Sequence, residues 1–207
     1  MSVLVYAAPI RCIDDSELEM LKIGLPDFQH RRFNTKHPGS LFAWVLLSKA
    51  VKDAWNLDAL PHCVKPESGK PYFDKQTVMH FSLSHNDSFA ICALSDMTVG
   101  CDIESASRKP ASVLLEKTLT SDEYMLVHNS DNPDRAFMQL WTLKEAKLKK
   151  DGTGLAGGIG KTDMADILSG SRIRKDSDDH FSVFEYEGNF ISVCGSGFAV
   201  RIKEIII

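Results

Sequence analysis

Apolar side chains recur at helical spacing in two long stretches of the chain, residues 40–55 and residues 133–150. Each stretch is therefore predicted to be an amphipathic helix that buries one face. Ser40 is expected to cap the first helix through its hydroxyl group. Pro133 suits the first turn of the second helix, and Gly152 is a natural stop after its last turn.

Shorter elements fill the rest of the pattern. Capping signals predict helices over residues 14–22 and 26–33, and a capping box that begins at Thr120 starts another helix. Short apolar runs rich in β-branched and aromatic residues predict strands at residues 3–7, 78–84, 89–95, 99–104, 181–186, 190–194 and 198–206. Asn86 and Asp87 favour a turn, so they predict a hairpin between the second and third of these strands.

A polar stretch at residues 105–110 is the predicted internal boundary. It divides the chain into an N-terminal part, residues 1–105, and a C-terminal part, residues 106–207. Each part has helices followed by about three strands, and no clear sequence repeat relates the two parts.

Composition excludes several kinds of function. Hydrophobic residues make up 43% of the 207 positions and charged residues 25%, as in an ordinary globular protein. The net charge of −4 argues against a general nucleic-acid-binding protein, which normally carries a basic excess. Five cysteines without a Cys-x-x-Cys pair predict buried reduced thiols and no zinc site. No apolar stretch approaches a membrane span, and residues 1–10 lack the features of a signal peptide, so a cytoplasmic location is expected.

Three carboxylates and a lysine are the candidate chemistry. Asp102 and Glu104 alternate along a predicted strand, so both project from one face. Glu145 and Lys149 lie one helical turn apart and also share a face. If the helix and the strand meet, the acids offer the oxygen ligands that Mg²⁺ prefers, beside a lysine suited to a phosphate group. Alternatively, Glu145 and Lys149 form an ordinary surface ion pair.

These residues lie in a pattern that is typical of one family. Asp-x-Glu at residues 102–104, followed by Trp-Thr-x-Lys-Glu-x-x-x-Lys at residues 141–149, resembles the signature of the 4′-phosphopantetheinyl transferases of the surfactin-synthetase-activating (Sfp-like) type. Gly-Lys-Pro at residues 69–71 and Phe-Ser-x-Ser-His at residues 81–85 resemble two further elements of that family, in the expected order. The resemblance covers residues 31–155. Each motif alone is weak, but four motifs in order are a specific signal.

The resemblance implies a pseudo-twofold pair of similar α+β halves with the active site in the cleft between them. The strand that carries Asp102 would end the first half, and the helix that carries Glu145 would belong to the second. The resemblance also implies that Asp102, Glu104 and Glu145 hold Mg²⁺, with Mn²⁺ as an alternative, and that the metal ion grips the pyrophosphate of coenzyme A. Glu145 would in addition accept a proton from a serine hydroxyl, and Lys149 would balance charge on the departing 3′,5′-ADP.

Further residues enter the expected coenzyme A site through the same motifs. Ser84 and His85 are expected to contact its phosphates, and Lys70 and Pro71 are expected near its adenine. Lys144 is expected to bind coenzyme A as well, although a lysine near a helix end is also favoured by the helix dipole alone. For Lys70, the alternative is an ordinary turn lysine.

One helix departs from the family pattern. The family commonly reads Ser-Leu-x-Ala-Arg-x-Leu-Leu where residues 40–47 place Trp44 in the position of the arginine. The resemblance assigns basic residues of this region to the 3′-phosphate of coenzyme A. Either the basic cluster Arg31, Arg32 and Lys36 compensates for the missing arginine, or the affinity for coenzyme A is lower.

The favoured hypothesis is a Mg²⁺-dependent transferase that moves 4′-phosphopantetheine from coenzyme A to an apo acyl, peptidyl or polyketide carrier protein. No nucleic-acid or membrane partner is expected. The protein is expected to be a monomer. A non-catalytic coenzyme A or carrier-protein binding module on the same fold is the alternative, supported by Trp44. Another Mg²⁺ phosphotransferase is disfavoured because residues 154–161 lack the spacing of a nucleotide-binding loop.

Overall fold

A computed structural model describes residues 2–66, 69–74, 79–154, 158–173, 178–196 and 199–207, and the fold is of the predicted α+β class. The strands are β1 (Ser2–Pro9), β2 (Cys63–Val64), β3 (Tyr72–Phe73), β4 (His80–His85), β5 (Phe89–Ser95), β6 (Gly100–Ser105), β7 (His180–Tyr186), β8 (Asn189–Gly195) and β9 (Ala199–Glu204). The helices are α1 (Asp15–Leu21), α2 (Asp27–His30), α3 (Gly39–Trp55), α4 (Ser112–Thr118), α5 (Ser121–His128), α6 (Pro133–Asp151) and α7 (Ala165–Leu168). Within these ranges no helix is both long enough and apolar enough to cross a membrane.

The two long helices lie where the pattern predicts them, but one cap differs. Before α6, the side chain of Asn132 accepts a hydrogen bond from the amide of Arg135 at 3.1 Å, and Gly152 ends the helix with a φ of 73°. Helix α3 begins after Pro38 and has no side-chain cap. The prediction that Ser40 caps this helix is therefore wrong, because Ser40 lies inside the first turn.

The short elements were predicted less completely. The capping box of α5 is confirmed, because Thr120 and Glu123 exchange hydrogen bonds between side chain and backbone. The turn after β4 is also confirmed, since the amide of Asn86 donates to the carbonyl of Phe89. Helices α4 and α7 were not predicted, because each is too short to show a clear period. Residues 78 and 198, where two strands were predicted to begin, lie outside the described residues.

The strands form two main sheets and a small ribbon of β2 and β3. The first sheet has the order β4-β5-β1-β9, in which only the pair of β1 and β9 is parallel. The second sheet is antiparallel with the order β6-β8-β7. Strand β6 therefore joins the later strands, and β9 joins the earlier ones. The sheets cross the boundary expected near residue 105, and a division into residues 1–105 and 106–207 stays a prediction.

The two sheets pack face to face, and the long helices cover their outer faces. An apolar cluster lies between the sheets, with the buried members Val3, Val5, Ala7, Ile91, Ala93, Val99, Cys101, Ile103, Ile191 and Val193. Helix α3 packs on the first sheet, where Leu46 and Phe42 join a core with Phe81. Helix α6 packs on the second sheet through Phe137 and Leu140. This order of helix, sheet, sheet and helix places β6 against both α6 and β4.

All five cysteines are free thiols, as predicted. Cys63, Cys92, Cys101 and Cys194 are buried, whereas Cys12 is exposed. Burial raises the pKa of the Cys63 thiol to about 11, so this group stays protonated at neutral pH.

Candidate active site

Gly100, the first residue of β6, allows this strand to approach α6 closely. A β-carbon at this position would overlap the carbonyl oxygen of Ala146 and the amide nitrogen of Lys150. Glycine avoids the overlap, so the two backbones lie in direct contact. Cys101 and Ile103 point into the layer between the sheets. The alternate side chains of β6 therefore project toward α6.

Asp102, Ser84 and Lys149 form the centre of the site. Lys149 Nζ lies 2.7 Å from Asp102 Oδ1 and donates to Ser84 Oγ at 2.8 Å. Ser84 Oγ in turn donates to Asp102 Oδ1 at 2.6 Å. Burial alone would lower the pKa of Lys149, but Asp102, Cys101 and Glu145 together outweigh this effect and the pKa is raised. Lys149 is therefore charged at neutral pH.

Glu145 and Glu104 add two more carboxyl groups to this centre. The side chain of Glu145 has no ion-pair partner among the described residues, so it does not pair with Lys149 as a surface salt bridge would. Burial, and next the charge of Asp102, raises the pKa of Glu145 to about 7, although Lys149 opposes the shift. Burial also raises the pKa of Glu104, against the guanidinium group of Arg108, which lies 2.7 Å from Glu104 Oε1. Asp102 therefore disfavours the charged forms of both Glu104 and Glu145.

The donor set suits a divalent cation, although it is not arranged around one in advance. In the part of the chain that the structure describes, no three His, Cys, Asp or Glu side chains are already grouped as metal ligands. However, Asp102 Oδ2 is buried and has no hydrogen-bond partner there. An orphaned carboxylate oxygen and the mutual repulsion of Asp102, Glu104 and Glu145 are what a hard cation would relieve. The residues present therefore fit Mg²⁺ in chemistry.

A pocket of about 430 Å³ opens beside Lys149. Four cationic side chains line it, Arg32, Lys65, Lys70 and Lys149, and no carboxylate does so among the described residues. Its apolar wall consists of Trp44, Pro71, Phe81, Leu83 and Leu148. The volume is typical of a ligand site, and the lining suits a ligand that carries several phosphate groups and an aromatic ring.

Lys70 and Pro71 line this pocket. The ammonium group of Lys70 donates to the carbonyl oxygen of Val99, just before β6. Burial lowers the pKa of Lys70 to about 8, and the charge of Lys149 acts in the same direction. Lys70 is therefore a half-buried lysine held against the site, and it is not a freely solvated turn lysine.

His85 does not share the position of Ser84. Its ring packs against Gly39 at the start of α3, where a β-carbon would lie 2.5 Å from His85 Nδ1. It lines a neighbouring pocket of about 610 Å³ together with Glu104 and Arg108. Burial, and next the charge of Lys149, lowers the pKa of His85, so the ring is neutral at pH 7. His85 therefore borders the acidic cluster from another side.

Only one residue of the basic cluster Arg31, Arg32 and Lys36 lines the pocket. Arg32 lines it, whereas Arg31 and Lys36 are exposed and do not. Trp44 is buried and makes edge-to-face contacts with Phe28 and Phe81, at centroid distances of 5.8 and 5.9 Å. It acts as a packing residue in the pocket wall. The charge that the family pattern expects from α3 is therefore absent there.

Lys144 lies outside the cluster, contrary to its expected place among the coenzyme A ligands. The side chain is fully buried, and its Nζ lies 2.6 Å from a carboxylate oxygen of Glu123, which is equally buried. Lys144 Nζ also donates to the carbonyl oxygens of Thr118 at 2.5 Å and Ile159 at 3.1 Å. Glu123 further accepts the amide of Met164 at 2.8 Å. This network ties α6 to α5 and to the segment that follows α6.

Several residues near the site were missed by the sequence pattern. Lys65 follows β2 and belongs to no motif, so no local signal identifies it. Arg108 could have been noticed as the residue four positions after Glu104, with which it pairs. Thr142 Oγ1 lies 2.7 Å from Ser192 Oγ on β8 and so fixes α6 against the second sheet. Ser192 is opposite Asp102 in the strand register, which only the fold reveals.

Comparison with known proteins points to one family. The sequence model of the 4′-phosphopantetheinyl transferase superfamily matches residues 98–194. A 4′-phosphopantetheinyl transferase of Bacillus subtilis is 32% identical over 133 residues, which cover 61% of this chain and 58% of the relative. The transferase psf-1 of Bacillus pumilus is 28% identical over 169 residues, 75% of this chain and 71% of the relative. The transferase AcpT of Salmonella typhi is 36% identical over 112 residues, 52% and 55% of the two chains.

The matched region contains both acidic elements of the site. Residues 98–194 include β6 with Asp102 and Glu104, and α6 with Glu145 and Lys149. The chain spans little more than half the length of the Bacillus subtilis and Salmonella relatives. Over residues 98–194 the chain is therefore similar to the 4′-phosphopantetheinyl transferase superfamily, and the matched region includes the acidic cluster.

Proposed function

We propose that this protein transfers the 4′-phosphopantetheine group from coenzyme A to a serine hydroxyl of an apo carrier protein, and that the reaction requires Mg²⁺. The observation that carries the proposal is the position of the Asp102, Ser84 and Lys149 cluster at the edge of a basic pocket. Phosphoryl transfer needs positioning and charge compensation more than covalent chemistry, and such a site offers both.

The pocket is suited to the adenosine and phosphate part of coenzyme A. Its apolar wall offers Trp44 and Phe81 beside Lys70 and Lys149, so a flat base and its phosphates find complementary surfaces. Pro71 belongs to this wall, and Ser84 accepts a hydrogen bond from Lys149 at the edge of the pocket. With the adenosine in this pocket, the diphosphate of coenzyme A would extend toward Asp102, Glu104 and Glu145.

Asp102, Glu104 and Glu145 would hold the metal ion, with Asp102 Oδ2 as the oxygen that has no hydrogen-bond partner among the described residues. When bound, Mg²⁺ would neutralise charge on the diphosphate and on the leaving group. Because Arg108 lies 2.7 Å from Glu104, the ion would compete with this arginine for the carboxylate. Mn²⁺ has similar ligand preferences and is expected to substitute.

In the proposed reaction the serine oxygen forms a bond to the phosphorus that carries the pantetheine arm. The bond from that phosphorus to the bridging oxygen breaks, and 3′,5′-ADP leaves with the electron pair. Glu145 accepts the serine proton, directly or through water, and a pKa of about 7 suits this role at neutral pH. Lys149 balances the charge that develops on the leaving group, because its ammonium group stays protonated.

The proposed partner is an acyl, peptidyl or polyketide carrier protein that presents a single serine. Carrier proteins of this kind are acidic, so a basic docking surface on this chain is expected in spite of its net charge of −4. We expect the protein to work as a monomer in the cytoplasm.

Intact-mass spectrometry of an apo acyl carrier protein tests the proposal. Incubation with the chain, coenzyme A and Mg²⁺ should add one phosphopantetheine group, and EDTA should prevent the addition. Asp102→Ala should abolish the transfer, whereas Asp15→Ala, at an exposed acid of α1, is the matched control. Binding of coenzyme A and carrier protein by the wild type without any transfer would favour the non-catalytic binding module instead.

A further inference from the structure

The four cations of the pocket fall into two groups. Lys70 experiences the charges of Lys149 and Lys150, and these lower its pKa together with burial. Lys65 has its pKa lowered by burial and then by the charge of Arg32. The side chains of Arg32, Lys65, Lys70 and Lys149 all line the same pocket. One group adjoins Asp102 and the carboxyl cluster through Lys149, and the other, Arg32 with Lys65, does not.

Arg32 and Lys65 come from different parts of the chain and meet only in the fold. Arg32 follows α2, and Lys65 follows β2. Neither side chain has a hydrogen bond or an ion pair with any described residue. Two cations in one pocket repel each other where no described carboxylate lines it, and a bound anionic group would relieve that repulsion.

The aromatic side chains in the pocket wall also favour a bound anionic ligand. Trp44 and Phe81 line the pocket together with Arg32, Lys65 and Lys149. A ligand with an aromatic base against this wall can present one anionic group to Lys149 and a second one to the Arg32 and Lys65 pair. Coenzyme A has this layout, with a 5′-diphosphate and a separate 3′-phosphate on one adenosine.

We propose that Lys65, paired with Arg32, is the specificity-determining residue for the 3′-phosphate of the donor nucleotide. The proposal rests on the proposed function, which supplies coenzyme A as the ligand. It assigns the missing positive charge of α3, where Trp44 stands, to a lysine on another element. It also separates Arg32 from Arg31 and Lys36, which do not line the pocket.

Calorimetric titration of the full chain with 3′,5′-ADP and with 5′-AMP tests the subsite, because the two probes differ only in the 3′-phosphate. The wild type should prefer 3′,5′-ADP. Lys65→Gln should reduce that preference by about tenfold, the value of one charge-assisted hydrogen bond, with little change for 5′-AMP. Lys65→Arg should retain the preference. Lys49→Gln, at an exposed lysine of α3 outside the pocket, should not alter it.

The outcomes separate this proposal from the proposed function. An unchanged preference in Lys65→Gln, or a wild type that does not distinguish the two nucleotides, overturns the subsite even if carrier-protein transfer proceeds normally. Loss of the preference in Lys65→Gln supports the subsite even if no transfer is found, in which case only the proposed function fails. Thermal melting of each variant checks that a lost preference is not lost folding.

Discussion

Two lysines of α6 lie five residues apart and have opposite surroundings. Lys144 is fully buried, and its ammonium group has one carboxylate partner, Glu123, and two carbonyl acceptors. Lys149 is partly exposed and shares one oxygen of Asp102 with Ser84. The other oxygen of Asp102 has no partner in the described parts of the chain, and neither does the carboxylate of Glu145.

This contrast separates fold from function within one helix. A buried charge is tolerated when it is paired and hydrogen-bonded, and the Lys144 network meets that condition. Around Lys149 the same condition is not met, since Glu145 is held with a pKa of about 7 among other acids. Groups with strongly perturbed pKa values cluster at functional sites. We therefore interpret Lys144 as a structural residue, although the motif placed it among the ligands of coenzyme A.

The largest expected effect is a loss of stability on removal of Lys144, the structural lysine of the pair. Lys144→Ala leaves Glu123 buried without its cation, and the free energy of unfolding should fall by about 3–5 kcal/mol. Urea unfolding of the wild type and the variant measures this change. The double variant Lys144→Met with Glu123→Leu should recover much of the loss, because no buried charge then remains. A loss under about 1 kcal/mol in Lys144→Ala would show that the pair is not structural.

Gly100→Ala should disturb the contact between Asp102 and Lys149, with a smaller loss of stability than in Lys144→Ala. The added methyl group would overlap the backbone of α6 at Ala146 and Lys150, so β6 and α6 must separate. Overpacking of this kind costs about 1–3 kcal/mol. Displacement of Asp102 from Lys149 should lower the transfer rate about 100-fold, since reacting groups tolerate little misplacement. Wild-type kinetics in a folded Gly100→Ala protein would refute this role of the close contact.

The features that depend on neighbouring residues were predictable from the sequence. The period of two along residues 99–104 placed Asp102 and Glu104 on one face, and helical spacing placed Glu145 beside Lys149. The caps of α6 were predictable for the same reason, because each depends on a few neighbouring residues. Such features follow from backbone geometry alone.

The contacts between residues far apart in the sequence were not predictable. Glu123 was identified as part of a capping box, but its contact with Lys144 depends on how α5 packs against α6. Lys65 becomes a pocket residue only because the fold brings the residue after β2 to the same pocket as Arg32 and Lys149. The parallel pairing of β9 with β1 joins the two ends of the chain, and no repeat or turn signals it. Contacts of this kind are set by the whole fold, and propensity does not encode them.

The smallest expected effect is a gain in stability at the site, in Glu145→Gln. An ordinary glutamate has a pKa near 4.5 in the unfolded chain, and in the folded protein that of Glu145 is about 7. Between these values the folded state holds a proton that the unfolded chain has lost, so wild-type stability falls as the pH rises through this window. Above pH 7 the folded wild type keeps an unfavourable carboxylate, which glutamine removes.

At pH 8 in EDTA, Glu145→Gln should therefore exceed the wild type by about 1–2 kcal/mol in free energy of unfolding, a value reduced for partial exposure. Below about pH 4.5 the advantage should disappear, since the carboxyl group is then protonated in both states. Glu116→Gln, at an exposed position of α4, should show no such dependence. Added Mg²⁺ should narrow the gap at pH 8, because a cation among the carboxylates removes their repulsion and stabilises only the wild type. If glutamine lowers stability at pH 8 without metal, Glu145 is not a strained group, and the contrast between the surroundings of Lys144 and Lys149 fails at the residue that carries the proposed proton transfer.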